Sequence, residues 1–211
     1  MLSDSVFDRI RRETDQYFRH SHHDKSHVQR VYNLALKIAE GEKADLDIVK
    51  AAVLLHDIAR ALEDEGKIED HAAVSARMAK KILENVDFPK QKAVEVAHCI
   101  EAHRFRKGKR AETLEARILQ DADRLDILGA IGIARVFVRG GWGNMPIYDP
   151  SIPPKKRYDG RSLTSVNHLY EKILKVKDTM NTKTAREIAE ERHAFVREFL
   201  ERLLREWNGE M

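Results

Sequence analysis

Apolar residues recur along this chain at spacings of three and four rather than in strict alternation, so nearly every segment predicts a helix. Ser3 is placed to cap a first helix running to about residue 18, with Val6, Ile10 and Tyr17 available for one face. A polar, histidine-rich stretch covers 20–25. Ser26 is then positioned to cap a second helix, in which Val31, Leu34, Ala35 and Ile38 share a side and which Gly41 ends. Asp45 starts a third, LDIVKAAVLLHDIAR, apolar around most of its circumference and therefore expected to be central and buried. Helices over 71–86 and 90–103 follow, with Pro89 where a first turn tolerates it. Residues 111–137 read as one long apolar helix in which Gly129 and Gly132 mark a break or a close packing point. Four of the five prolines and four of the ten glycines fall in 140–160, which predicts a long loop, a candidate lid or partner surface. Helices over 162–178 and 182–207 close the chain. The expected fold class is all-α.

Composition narrows the function. The chain has 211 residues, 42% of them hydrophobic, enough for a sizeable core. Lys and Arg number 38 against 35 Asp and Glu, and a net charge of +3 does not by itself mark a nucleic-acid binder. No apolar run approaches the roughly 18 residues of a membrane span, and the charged MLSDSVFDRIRRE does not read as a signal peptide. A cytoplasmic protein with no membrane partner is the expectation. With Cys99 as the single cysteine, any metal must rest on His, Asp and Glu.

A His-Asp pair occurs twice, at His23-Asp24 in a polar stretch and at His56-Asp57 within AAVLLHDIAR. The second matters more, because an imidazole and a carboxylate in an apolar helix cost several kcal/mol unless paired or bound to a metal. His27, in the first turn of the second helix, is a candidate partner. So are the aspartates of RILQDADRLDILGAIGIA, where Asp121, Asp123 and Asp126 interrupt an apolar run, with Arg117 or Arg124 as alternative partners for Asp121 and Asp126. Two imidazoles and two carboxylates form an N/O donor set suited to Mn, Mg, Fe, Co, Ni or Zn.

The order His27, His56-Asp57, then Asp123 within DADRLD resembles the H…HD…D signature of the HD-domain metal-dependent phosphohydrolases. SHVQRVYNLA, LLHDIAR, EDHAAVSA, CIEAHRF, QDADRLDILGAIGIAR and SVNHLYEKIL resemble a branch of small, stand-alone bacterial and archaeal HD hydrolases, over about residues 20–207. The resemblance implies one HD domain over 1–211, an HD helical bundle with C-terminal helices packed on it. Its divisions would be a metal-site core at about 20–139, a loop at 140–161 and C-terminal helices at 162–207. It further implies a divalent ion, Mn foremost, held by His27, His56, Asp57 and Asp123, and hydrolysis of a nucleotide or related small phosphate, with a nucleoside triphosphate pyrophosphohydrolase as the leading activity. Asp57 would bind metal and orient water, while His71 and His103 are candidates for general acid, for phosphate contacts or for a second metal. His98, five residues before His103, falls on a different side of its helix.

HD mononucleotidases carry a catalytic Glu three residues after the HD aspartate, and this chain has Arg60 there. A cation at that position suits phosphate binding, as does Arg124, and His168 with Lys172, spaced by four, are further candidate substrate contacts. A phosphodiesterase or phosphatase on another small phosphate is the alternative enzyme. From another class comes a binding module for nucleic acid or a signalling nucleotide, supported by the RFRKGKR loop at 104–110 and by Lys155, Lys156 and Arg157. Retention of all four tetrad positions disfavours it.

Overall fold

A computed structural model describes residues 1–18, 25–104 and 109–210. His23-Asp24 and the middle of the basic loop, 105–108, lie outside them. Among the described residues all regular structure is helical, as the periodicity predicts, and no helix is long and apolar enough to cross a membrane. The chain forms two compact units, Met1–Asp123 and Arg124–Met211.

The first unit is organised around α3 (Leu46–Leu55), where Ile48, Val49, Ala51, Ala52, Val53, Leu54 and Leu55 are all buried. Asp45 caps it by accepting from the backbone N–H groups of Asp47 and Ile48. α1 (Asp4–Thr14), α2 (Lys25–Glu42) and α6 (Lys90–Ala102) pack on α3, and α5 (His71–Asn85) packs on α6. α1 turns Phe7, Ile10 and Thr14 inward rather than Val6, and a 3-10 turn over Asp15–Tyr17 ends it. α2 begins before Ser26, whose hydroxyl accepts from Arg30 instead of capping, and it runs through Gly41 to stop before Lys43, the residue with positive φ.

Three of the expected helices are divided. The LDIVKAAVLLHDIAR segment ends at Leu55, and a turn over 56–59 leads into the short α4 (Arg60–Asp64). The long element over 111–137 is two helices, α7 (Leu114–Leu125) and α8 (Ala130–Trp142), separated where Gly129 takes φ 84°. The 162–178 segment is α9 (Ser165–Glu171), capped by Thr164, followed by a 3-10 stretch over Ile173–Thr179.

In the second unit α10 (Lys183–Trp207), capped by Thr182, packs on α8 and on the 3-10 stretch. The Pro/Gly-rich loop before α9 is fastened to that helix: Ser165 N donates to Pro146 O (3.0 Å), Asn167 Nδ2 to Ile152 O (3.0 Å) and Lys155 N to Glu171 Oε1 (2.8 Å). At Gly132 an added Cβ would lie 2.1 Å from the carbonyl oxygen of Ile127, a backbone atom that cannot rotate away. Gly132→Ala is therefore expected to destabilise the protein by about 1–3 kcal/mol, read as a lower Tm; an unchanged Tm would contradict the close approach.

Candidate active site

The polar residues of the first unit collect where helices end. His27 lies in the first turn of α2, His56 is the residue after α3, Asp57 sits in the turn beyond it, and His71 opens α5 behind its cap Asp70. His103 follows the last residue of α6, and Asp123 lies in the last turn of α7. A helix end frees the chain to change direction, so both members of the His-Asp pair can face one point in a way that adjacent residues inside a helix cannot. The turn is held by Arg60 N donating to Asp57 O (2.9 Å) and by Ala59 N donating to Ser75 Oγ of α5 (3.0 Å).

Asp57 is the centre of this arrangement, and its two oxygens face different partners. Oδ2 lies 3.6 Å from His56 Nε2 and 3.9 Å from His27 Nε2, and His27 Nε2 lies 3.4 Å from Asp123 Oδ1. Oδ1 lies 3.0 Å from His71 Nε2 and 3.6 Å from His103 Nε2. His27, His56, Asp57, His71 and His103 are all at most 5% exposed, so this polarity is enclosed. The structure thus gathers His27, His56, Asp57 and Asp123 on one side and His71 and His103 on the other.

Hydrogen bonds set which ring nitrogens face inward. His56 Nδ1 donates to Val53 O (2.7 Å) and His103 Nδ1 to Ile100 O (2.6 Å), since a carbonyl can only accept. His71 Nδ1 donates to Glu63 Oε2 at 2.8 Å. In each ring Nε2 therefore faces the cluster. His56 Nε2 is buried and has no hydrogen-bond partner among the described residues, which is the position of a metal-ligating nitrogen. His71 Nε2 and His103 Nε2 are 3.2 Å apart, within hydrogen-bond range, so one proton or cation is needed between them.

Electrostatics agree with the geometry. Burial pushes His56 down to about 4 against the pull of Asp57, leaving a neutral imidazole at ordinary pH. At Asp123 burial opposes ionisation, but the hydrogen bond and charge of His27 prevail and hold the carboxyl well below the usual range. Burial also disfavours charge on His103, and the interaction with Asp57 outweighs it and raises its pKa.

Two residues at the site escaped the sequence reading. Glu63 accepts from His71 through both N (2.8 Å) and Nδ1, and Arg104 Nη1 donates to the same Oε2 at 2.7 Å. Glu63 was one acid in the run LEDEG, and Arg104 one cation in a basic loop; neither carries a local signal, because only the fold of α4 against α5 brings them to His71. Arg60 contacts Asp64 (3.0 Å) and Glu63 (3.6 Å), with Nη1 3.4 Å from His71 Nδ1. His98 is elsewhere, accepting from Glu112 N through Nε2.

Of the other candidate residues, Asp121 and Arg117 belong to the first unit and Arg124, Asp126, His168 and Lys172 to the second. Asp126 pairs with Arg135, and the Arg124 guanidinium donates to Thr179 O (2.5 Å). Asp121, in the first unit, is fully buried. Arg117 turns to the carbonyls of Ala111 and Glu112. His168 Nδ1 lies 3.2 Å from Ser162 Oγ, whose hydroxyl donates to Glu171 Oε2 (2.6 Å). Lys172 falls just past the end of α9, and Tyr158 lies against both: its ring meets His168 edge-on at 5.4 Å and carries Lys172 Nζ at 5.7 Å. Burial and then the charge of Lys172 bring His168 down to about 4. An NMR titration should place its midpoint near that value, and Lys172→Ala should move it upward; an unmoved midpoint would contradict the assigned charge effect.

The HD domain family model matches residues 25–128, a span that holds every residue of this cluster. YpgQ of Bacillus subtilis is 39% identical over 193 residues, covering 90% of this chain and 86% of YpgQ. The chain belongs to the HD-domain superfamily. A crystal structure of an HD-superfamily hydrolase from Bacillus thuringiensis matches this HD protein with TM-score 0.80 and 34% identity over 97% of this chain and 98% of that one. The crystal structure of B. subtilis YpgQ in complex with ADP matches with TM-score 0.76 and 33% identity over 96% and 95%. The HD protein is accordingly a metal-dependent hydrolase with an all-α fold, and its His/Asp groups, His27–His56–Asp57 and Asp57–His71–His103, are each close enough to hold an ion.

Proposed function

We propose that this HD protein is a nucleoside triphosphate pyrophosphohydrolase. The observation that carries the reading is the divided Asp57 carboxylate, with one oxygen toward His27 and His56 and the other toward His71 and His103. The ADP in the YpgQ structure supports a nucleotide as the ligand here. His27, His56, Asp57 and Asp123 would hold one divalent ion, Mn foremost; when bound it lowers the pKa of water and neutralises phosphoryl charge.

The chain's own groups supply the rest. Asp57 accepts a hydrogen bond from the attacking water, orients it toward the α-phosphorus and takes its proton as the new P–O bond forms. Pyrophosphate leaves, and the shared proton of the His71–His103 pair is placed to neutralise the leaving oxygen. Arg60 is assigned to the phosphate chain. Arg124, His168 and Lys172 are the further substrate contacts that the family resemblance implies. Because His168 is kept uncharged and its Nδ1 faces the Ser162 oxygen, it suits a hydrogen-bond donor on the ligand better than a phosphate.

The test is turnover of nucleoside mono-, di- and triphosphates with Mn, Mg, Co and Ni, reading phosphate and pyrophosphate separately, beside oligonucleotide binding at 50 and 200 mM salt. Pyrophosphate release from triphosphates is expected, with weak oligonucleotide binding. Turnover confined to diesters or monophosphates would overturn the pyrophosphohydrolase in favour of another small phosphate. Tight oligonucleotide binding that falls about 10³- to 10⁵-fold with salt, without turnover, would overturn the enzyme reading of the substrate altogether.

A further inference from the structure

We infer that Glu63, anchored by Arg104, is a positioning residue of the hydrolytic site: it fixes the His71 ring and keeps a proton on Nδ1, so that Nε2 is the atom facing Asp57 and His103. The role goes beyond the proposed activity and rests on it only in the kinetic arm of the test.

Three donors converge on one oxygen of Glu63, its Oε2: the backbone N–H of His71 at 2.8 Å, His71 Nδ1 at 2.8 Å and Arg104 Nη1 at 2.7 Å. Arg104 is itself steadied by Asp70 at 3.6 Å, the residue that caps α5. Binding both the main chain and the ring of His71 removes two freedoms at once, the position of the α5 N-terminus and the rotation of the imidazole. Burial opposes ionisation of Glu63, yet the His71 hydrogen bonds and the nearby Arg104 charge bring it down to about 2, so it is an acceptor throughout the neutral range.

The need for such an anchor comes from the other side of the ring. Asp57 Oδ1 stands 3.0 Å from His71 Nε2 and competes for the ring's proton. Without Glu63, a neutral His71 would settle with its single proton on Nε2, hydrogen-bonded to Asp57, and with Nδ1 bare. The proton between His71 and His103, 3.2 Å apart, would then be committed to Asp57 and lost to a leaving group. A carboxylate behind a metal-ligating histidine carries about 10- to 100-fold in affinity or activity, and an orienting effect of that size is expected of Glu63 on His71.

The experiment uses the full chain with Glu63→Ala, Glu63→Gln and His71→Ala, each confirmed helical by circular dichroism. ¹⁵N spectra of the Mg-loaded protein should show His71 Nδ1 protonated in the parent and Glu63→Gln, whose amide oxygen still accepts, and unprotonated in Glu63→Ala. With the substrate identified by the nucleotide panel, kcat should fall about 10- to 100-fold in Glu63→Ala with little change in KM, recover largely in Glu63→Gln, and fall no further when Glu63→Ala is added to His71→Ala. Should Glu63→Ala fail to fold, Glu63→Asp, one methylene short of the ring, should show the same loss and the same change at Nδ1. A protonated Nδ1 in Glu63→Ala, unchanged kcat, or additive losses with His71→Ala would each overturn the inference. A parent without turnover of any nucleotide would instead overturn the proposed function while the Nδ1 readout still tests Glu63.

Discussion

Replacing His56 or Asp57 with alanine is expected to abolish metal retention and turnover together while leaving a helical protein. His56 contributes a buried Nε2 with no hydrogen-bond partner among the described residues, its Nδ1 already given to Val53 O, so among those residues the nitrogen has no structural role that would be lost with it. Asp57 faces four imidazoles, and its removal leaves both halves of the cluster without their shared anion. Loss of the ion removes several kcal/mol of transition-state stabilisation, and at 1.4 kcal/mol per factor of ten the expected fall in kcat/KM is about 10³-fold or more. Elemental analysis and nucleotide turnover check both arms. Full metal occupancy in both variants would refute the ligand assignment. If Asp121→Asn lost the metal while Asp123→Asn kept it, the wrong aspartate of DADRLD would have been assigned.

The second large effect is expected at the paired imidazoles. His71→Ala and His103→Ala should each lower kcat by about 10²- to 10⁴-fold, the range for a proton transferred by a positioned side chain, with metal content unchanged. The geometry behind this is the 3.2 Å contact between two Nε2 atoms whose partner nitrogens are both already donating. Metal content separates the roles that three converging acceptors allow. One ion per chain, unaltered in His71→Ala, assigns the pair to proton transfer; two ions in the parent and one in His71→Ala would replace that role with a second metal at Asp57, His71 and His103. Kinetics indistinguishable from the parent in both variants would remove the pair from the mechanism.

Local physics carried most of the element list. Thr182 and Asp45 cap the helices that follow them, and the circumferentially apolar text after Asp45 is the buried centre of its unit. Boundaries went astray where two signals competed. Gly41 reads as a helix stop, but a glycine in a helix costs only about 1 kcal/mol, and α2 continues through it to Glu42, ending before Lys43 with its positive φ. The 162–178 pattern has the right period yet tightens after Lys172 into a 3-10 stretch, a change that periodicity does not register. Arg117 and Arg124 read as candidate partners of Asp126, and a further cation, Arg135 on α8, pairs with it from the next helix, which spacing along α7 does not register.

What the sequence determined by itself is the class of fold and the polar residues that the apolar text had to accommodate: His27, His56 and Asp57 stand out because burying them is costly without partners, while the choice of Asp123 among the three aspartates of RILQDADRLD came from the resemblance to the HD signature. Tertiary structure alone decided the rest. It ended α3 at Leu55 and put the His-Asp pair in a turn, where both side chains face one point; it set the two oxygens of Asp57 toward different histidines; and it brought Glu63 and Arg104 to the back of His71. The physical reason is that residue cost is a local quantity, readable from composition and spacing, whereas tautomer, rotation and proton position depend on acceptors that come from helices distant in the chain and meet only when those helices pack.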